Sequence, residues 1–178
     1  MTEALINRIK QKEKKAQEEF YKKYAIQMFR IIFRYVKNET DAGSILNMGF
    51  FKIFSKIDSL IYSNEISFIA WMKKIMINET LMFLRQDHHF INIDTCYEEL
   101  PVDVVNCPDN GLIIEDYYNL IRKLPRDLRT VFNLYAIEGF SHKEIAAELN
   151  ISESSSRVYL MRARAKLKRS LTAVKIGS

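Results

Sequence analysis

A chain of 178 residues, 48% of them apolar and 28% charged, can bury one sizeable core or two small ones. Five glycines and three prolines, with long stretches free of both, argue against the turn-rich texture of a β-sandwich or barrel and for an all-α protein. The formal net charge is +5, no run of about 18 apolar residues occurs, and no apolar core with a cleavage site opens the chain, so membrane insertion and export are not expected and a cytoplasmic location is.

In chain order, Phe20, Tyr24, Met28, Ile31 and Tyr35 recur every three or four residues and predict a first amphipathic helix. Ile45, Gly49, Ile53 and Ile57 continue the pattern on a second. After a polar loop over 58–67, Phe68, Trp71, Ile75 and Met82 mark a third. Residues 1–86 therefore read as a small helical bundle.

From Gln86 to about Asn110 the helical period lapses, and Pro101 and Pro108 interrupt the chain. A structureless loop of that length is unusual inside one compact domain, so residues 87–110 read as a linker. Cys96, Cys107, His88 and His89 fall in or beside it. Their spacing matches no standard zinc pattern, and the thiols read as reduced and incidental; no metal site and no cofactor is expected.

Residues 111–178 read as a second, four-helix domain. A helix from about Leu112 to Lys123 presents Tyr117, Leu120, Ile121 and Leu124; Pro125 then opens another, with Leu128, Val131, Phe132 and Tyr135 inward and Gly139 at its end. Ser141 followed three residues later by Glu144 is a capping box for a short helix with Ile145, Ala146 and Leu149 inward. Asn150 suits the left-handed turn that stops it, and Ser152 caps a last helix reaching about Leu171. On that helix Leu160, Ala163, Leu167 and Leu171 form one stripe, while Ser155, Arg162, Lys166 and Arg169 fall opposite.

This is a helix-turn-helix whose second helix carries seven basic residues and no acid from Arg157 to Lys175. Such a helix suits the major groove of DNA, where arginine donates two bonds to guanine. Charge divides along the chain in the same sense. Residues 1–85 hold 15 Lys and Arg against 9 acids, residues 86–121 hold 8 acids and no base, and residues 122–178 hold 12 bases against 5 acids. Two basic bodies joined by an acidic connector suit a protein that grips a polyanion at two places; solvated surfaces and a solubilising tether are the plainer alternative.

The stretch LPRDLRTVFNLYAIEGFSHKEIAAELNISESSSRVYLMRARAKLK, residues 124–168, resembles region four of the extracytoplasmic-function sigma factors. FIAWMKKIMINETLMFLR, residues 68–85, and ETDAGSILNMGFFKIFSKI, residues 39–57, resemble region two of the same family, in the right order. The resemblance implies a sigma factor, not an enzyme, whose partners are core RNA polymerase, double-stranded promoter DNA and its melted strand, with an anti-sigma protein as a further partner. It implies that Asp41, Asn47 and Lys52 meet the polymerase clamp. Tyr62, Ser63 and Asn64, with Lys73, Lys74, Asn78 and Arg85, would handle the minus-ten element, and Ser154, Ser155, Arg157, Val158, Arg162 and Lys166 the minus-thirty-five element. Asn64 has a second reading, as the cap of the following helix. Gly43, Ser44, Asn47, Met48 and Gly49 depart from the family's acidic pattern, and the two glycines are expected to weaken their helix by about 1 kcal/mol each. A helix-turn-helix regulator that is no sigma subunit would share the C-terminal module alone. An enzyme lacks support, because no phosphate-binding glycine loop, nucleophile arrangement or ligand cluster is present.

Overall fold

The structure, a computed structural model, describes residues 2–87, 90–91 and 114–176. Among the described residues there are eight α-helices and no strand, and the chain divides into two compact units, Met1–Gln86 and Asp87–Ser178. Most of the acidic stretch over 87–110, with Cys96, Cys107, His88 and His89, lies outside the described residues.

The first unit holds α1 (Thr2–Lys10), α2 (Lys14–Phe33), α3 (Glu39–Lys56), a 3-10 turn (Ile57–Ser59) and α4 (Glu65–Asp87). The sequence reading passed over α1, which is only 9 residues long and buries Leu5, Ile6 and Ile9. Lys12, at φ 61, turns the chain into α2, and the Arg8 guanidinium ties the corner to Glu13 at 2.6 Å and Glu19 at 2.9 Å. Asn38 caps α3 by accepting the Thr40 amide at 2.8 Å.

Phe20 is the centre of the core. Its ring meets Tyr24 at 4.9 Å, Phe54 at 5.6 Å, Phe68 at 5.8 Å and Phe50 at 6.0 Å, mostly edge-on or tilted as aromatic quadrupoles prefer. Two expectations are corrected. On α2 the buried residue is Ile32 and Ile31 is only half-buried; on α4 Met72 and Met76 join Phe68 and Ile75 in the core while Met82 is exposed. At about 100° per residue, a neighbour one position away sits a quarter-turn off, and the packing partner decides which one turns inward.

Gly49 is a point of close approach between α3 and α4: a Cβ there would overlap the Met76 sulfur and lie 2.9 Å from its methyl carbon. One turn along, Lys52 reaches the buried Glu79 of α4 at 2.6 Å. Glu79 Oε2 accepts no hydrogen bond, so its charge is held by one ammonium.

The second unit holds α5 (Ile114–Lys123), α6 (Arg126–Phe132) running on through a π-helical turn (Asn133–Ile137), α7 (His142–Leu149) and α8 (Glu153–Ile176). Pro125 sits just before α6, in extended backbone at φ −51 and ψ 151. The Arg129 side chain is buried, donating to the end of α5 at the Arg122 carbonyl, 3.0 Å, and the Leu124 carbonyl, 3.3 Å. Burial, with Arg126 and Arg122 nearby, lowers its pKa, yet it stays charged at neutral pH. Gly139, at φ 78, supplies the left-handed residue after the π turn, and Phe140 closes the corner by donating to the Leu134 carbonyl at 2.9 Å.

The two α3 glycines differ in what surrounds them, since nothing lies within 4 Å of a Cβ placed on Gly43. Gly43→Ala is expected to stabilise the first unit by about 1 kcal/mol from helix propensity alone. Gly49→Ala is expected to lose that gain to Met76. Urea unfolding followed by the fluorescence of Trp71, the chain's one tryptophan, reads both.

Candidate nucleic-acid interface

Local chemistry sets the geometry of α7 and α8. Ser141 Oγ accepts the Glu144 amide at 3.2 Å, and the Glu144 carboxylate accepts the Ser141 amide at 2.8 Å, completing the expected capping box. Asn150 is left-handed at φ 54 and ψ 49, and the next amide, of Ile151, returns to the Ala146 carbonyl at 3.1 Å. Ser152 Oγ then accepts the Ser155 amide at 3.0 Å to start α8. Two caps and one left-handed residue thus define the angle at which α8 leaves α7.

On the outer side of α8, Ser154, Arg157, Ala165 and Lys168 are exposed, with Met161 half-buried among them, at spacings of three and four that make one stripe. Arg157 pairs loosely with Glu153 at 3.4 Å, one turn back. On one flank Arg162, Lys166 and Arg169 line an open groove of about 570 Å³ whose apolar side is Leu128 and Ala165. On the other flank the Arg164 guanidinium lies 5.7 Å from the centre of the Tyr135 ring, which stacks on His142 at 4.5 Å. His142 Nδ1 shares a 2.9 Å hydrogen bond with Ser156 Oγ. Burial first, then Arg157 and Arg164, lowers the His142 pKa below 6.5.

Ser154, Arg157, Arg162 and Lys166 are therefore exposed as expected, but Ser155 and Val158 are not. Both are buried, and their expected contact with DNA is corrected. The first turns of α8 pack against both α6 and α7, so the enclosed arc is wider there than the Leu160, Ala163, Leu167 and Leu171 stripe implies. The Ser155 hydroxyl is spent on Ser152, at 2.8 Å.

In the first unit, Ser67, Lys74, Asn78 and Arg85 are exposed along α4 at spacings of seven, four and seven, again one stripe. Lys73 lies off it, half-buried. In the preceding loop Ser63 is exposed, but Tyr62 is half-buried with its ring edge-on to Phe68 at 6.0 Å. Asn64 takes its capping reading, accepting the Ser67 amide at 2.8 Å, which leaves its amide nitrogen facing Ser63 at 3.5 Å.

On α3, Asp41 is half-buried in the first turn, and Asn47 is exposed, its carbonyl accepting the Tyr21 hydroxyl at 3.2 Å. Lys52, expected at the polymerase clamp, is half-buried and pairs with Glu79 of α4. Met48, singled out in the sequence only as a departure from the family's pattern, stands on the Asn47 face of α3 at 50% exposure, and sequence reasoning missed Phe51 beside it, at 69%, and Ile61 and Ile66 beside the loop. The signal was there for Phe51. It falls out of phase with the inward set Ile45, Gly49 and Ile53 on a helix otherwise patterned for burial.

Among the described residues no helix is long and apolar enough to cross a membrane, and no group of three His, Cys, Asp or Glu side chains is placed to hold a metal.

Residues 20–89 match the Sigma-70 region 2 family and residues 114–167 the Sigma-70, region 4 family. The chain is 27% identical over 174 residues to the ECF RNA polymerase sigma-E factor of Haemophilus influenzae, covering 91% of this chain and 90% of that one. It is 23% identical, over the same shares, to the sigma-E factor of Escherichia coli K12. In fold it is similar to the sigma factor RpoE from Bartonella quintana, solved with the anti-sigma factor NepR, at a TM-score of 0.50 and 19% identity over 87% of this chain and 98% of that one.

Two outcomes are expected from these surroundings. Lys52→Met strands the buried Glu79 carboxylate and should cost the first unit about 3 kcal/mol, most of it recovered in the Lys52→Met, Glu79→Leu double variant, read by Trp71 fluorescence in urea. His142, neutral in the folded unit, should titrate below 6.5 by NMR; stability that is full above pH 6.5 should fall as pH drops through the folded pKa, and His142→Gln should remove that component.

Proposed function

The chain belongs to the extracytoplasmic-function sigma factors of the sigma-70 family, and we propose a division of labour between its two units that follows from the faces they expose. As a sigma factor it associates with core RNA polymerase and directs promoter recognition and the start of transcription; sigma factors are initiation factors, not enzymes. In our reading residues 1–86 seat on the polymerase and open the minus-ten element. Residues 87–110 span between the modules, and residues 111–178 read the minus-thirty-five element. The protein acts in the cytoplasm, and an anti-sigma protein is its regulatory partner.

The observation that supports this reading is the pair of outward stripes, one on each unit, that carry exposed basic and polar side chains: Ser154, Arg157 and Lys168 on α8, and Ser67, Lys74, Asn78 and Arg85 on α4. On α8, Ser154 and Arg157 reach base edges and phosphates from the N-terminal turns, Arg162 reads a base from the flank, and Lys166 holds phosphate. On α4, Lys74 and Arg85 position the backbone of the opened region while Asn78 offers a donor and an acceptor to a base, and Lys73 and Ser63 support them from the side. Asp41 and Asn47, joined by Met48 and Phe51, form the polymerase-facing side of α3, where an apolar anchor supplies the desolvated centre that polar contacts alone lack.

Run-off transcription with purified core polymerase and this chain, on templates from its own genome, tests the reading; defined start sites that require the chain are expected. A chain that binds DNA but neither joins the polymerase nor directs it would be a helix-turn-helix regulator instead. On a mapped promoter, Arg162→Ala should erase about 1–3 kcal/mol of discrimination between matched and mismatched minus-thirty-five sequences. Lys168→Ala should weaken all sequences alike and reduce the salt slope of binding by about 1.

A further inference from the structure

His142 is the first residue of α7, half-buried, and nothing in the reading of the two DNA-facing stripes uses it. Its ring stacks on Tyr135 of the π turn, with the centroids 4.5 Å apart and 24° between the planes. The 2.9 Å hydrogen bond between Nδ1 and Ser156 Oγ fixes the same ring against α8. Arg164, one of the cations of α8, reaches the Tyr135 ring as well, at 5.7 Å. The charged groups that face the imidazole are Arg157 and Arg164, with Glu153 opposing them, all three from α8. Glu153 is itself drawn to Arg157 at 3.4 Å, and on α7 the Glu144 carboxylate is engaged by the Ser141 cap. From the π turn the titratable neighbour is Tyr135.

In the free chain the surroundings of this ring work against a charge on it. It is partly desolvated, two guanidiniums are close, and the first turn of α7 carries the positive end of the helix dipole. A phosphate would reverse the sign of that balance. Drawn to the same guanidiniums, it converts a third cation from a repelled neighbour into a partner. The place suits a phosphate too, because the first helix of a helix-turn-helix crosses the DNA backbone while the second enters the groove. Arg157 is exposed on the outward stripe of α8, so the ring beside it borders the face offered to DNA.

Resting on the reading of the second unit as a DNA-binding one, we propose that His142 is a proton-linked phosphate contact: with DNA bound it is charged and joins Arg157 and Arg164 on the backbone, so that the grip of this unit tightens as the medium acidifies. Binding then takes up a proton from solvent, and by linkage the affinity must rise as pH falls. Tyr135 supports both states, since its face accepts the neutral ring by stacking and the charged ring as a cation. Without DNA the same chemistry runs the other way. The unit loses stability when His142 is forced to charge beside Arg157 and Arg164 with no phosphate to offset it.

The test is the affinity of the full chain for a short mixed-sequence DNA duplex at fixed salt, because a phosphate contact does not depend on sequence. The wild-type chain is expected to bind about fivefold more tightly at pH 6.0 than at pH 7.5. His142→Gln, which keeps a hydrogen-bonding group for Ser156 but does not titrate, should bind equally at both, at the wild-type level of pH 7.5. His142→Lys, charged throughout, should also bind equally at both, at the level the wild type reaches at pH 6.0. Far-UV circular dichroism at each pH separates loss of fold from loss of grip. On the wild-type chain itself, the His142 ring followed by NMR should titrate at higher pH in the complex than in the free protein. A pH slope retained in full by His142→Gln, or a ring that titrates at the same pH with and without DNA, would overturn the proposal. A chain that binds no duplex at either pH removes the DNA-binding reading of the unit, and the contact with it.

Discussion

The unpaired backbone groups at helix ends constrain this protein more than any one packed face. A helix leaves about four amides and four carbonyls without internal partners at its two ends, and each costs free energy if it is neither solvated nor bonded. Nearly every side chain that positions a functional surface meets that demand. Asn38, Asn64, Ser141 and Ser152 accept amides at the starts of α3, α4, α7 and α8, while Arg129 donates to carbonyls at the end of α5 and Lys10 to the Leu60 carbonyl beyond the 3-10 turn. At about 1 kcal/mol each, such caps add little to total stability. Their larger effect is on direction, because a cap fixes where the chain enters the helix and so which arc of the helix faces outward.

Electrostatics supplies what the caps orient. Exposed charges in water interact weakly one by one, and pairs such as Arg157 with Glu153 contribute at most a few tenths of a kcal/mol. Against DNA the same cations act together through counter-ion release, which grows with the number of phosphates neutralised. The buried pair of Lys52 and Glu79 belongs to a different regime. There the desolvation of Glu79 is large, one ammonium offsets it, and the pair stabilises the α3–α4 contact only while both partners are present.

The departures of α3 from the family's acidic pattern take on a physical meaning in this setting. Gly49 is less a weak spot than a space that the Met76 side chain fills, whereas Gly43 has open surroundings and keeps its full propensity cost. Met48 and Phe51, both exposed, give the outer face of this helix an apolar centre. A partner docking on such a face gains from desolvation more than from charge, and contacts of that kind are less sensitive to salt than those made by exposed cations.

The chain's linear order alone determined the all-helical class, the capping box at Ser141, the left-handed Asn150, the Ser152 cap and the basic face of the last helix. Each of these depends on residues within a few positions of one another, where helix geometry dictates who can meet. What lay beyond that range was decided by the tertiary structure. Whether Asn64 caps a helix or faces outward, whether Ser155 and Val158 are exposed, and what Lys52 pairs with all depend on neighbouring elements, as does the Lys10 bond to Leu60, fifty residues away. Periodicity tells which side of a helix is apolar, but the width of the buried arc is set by how many other helices press on it, and that number exists only once the chain has folded.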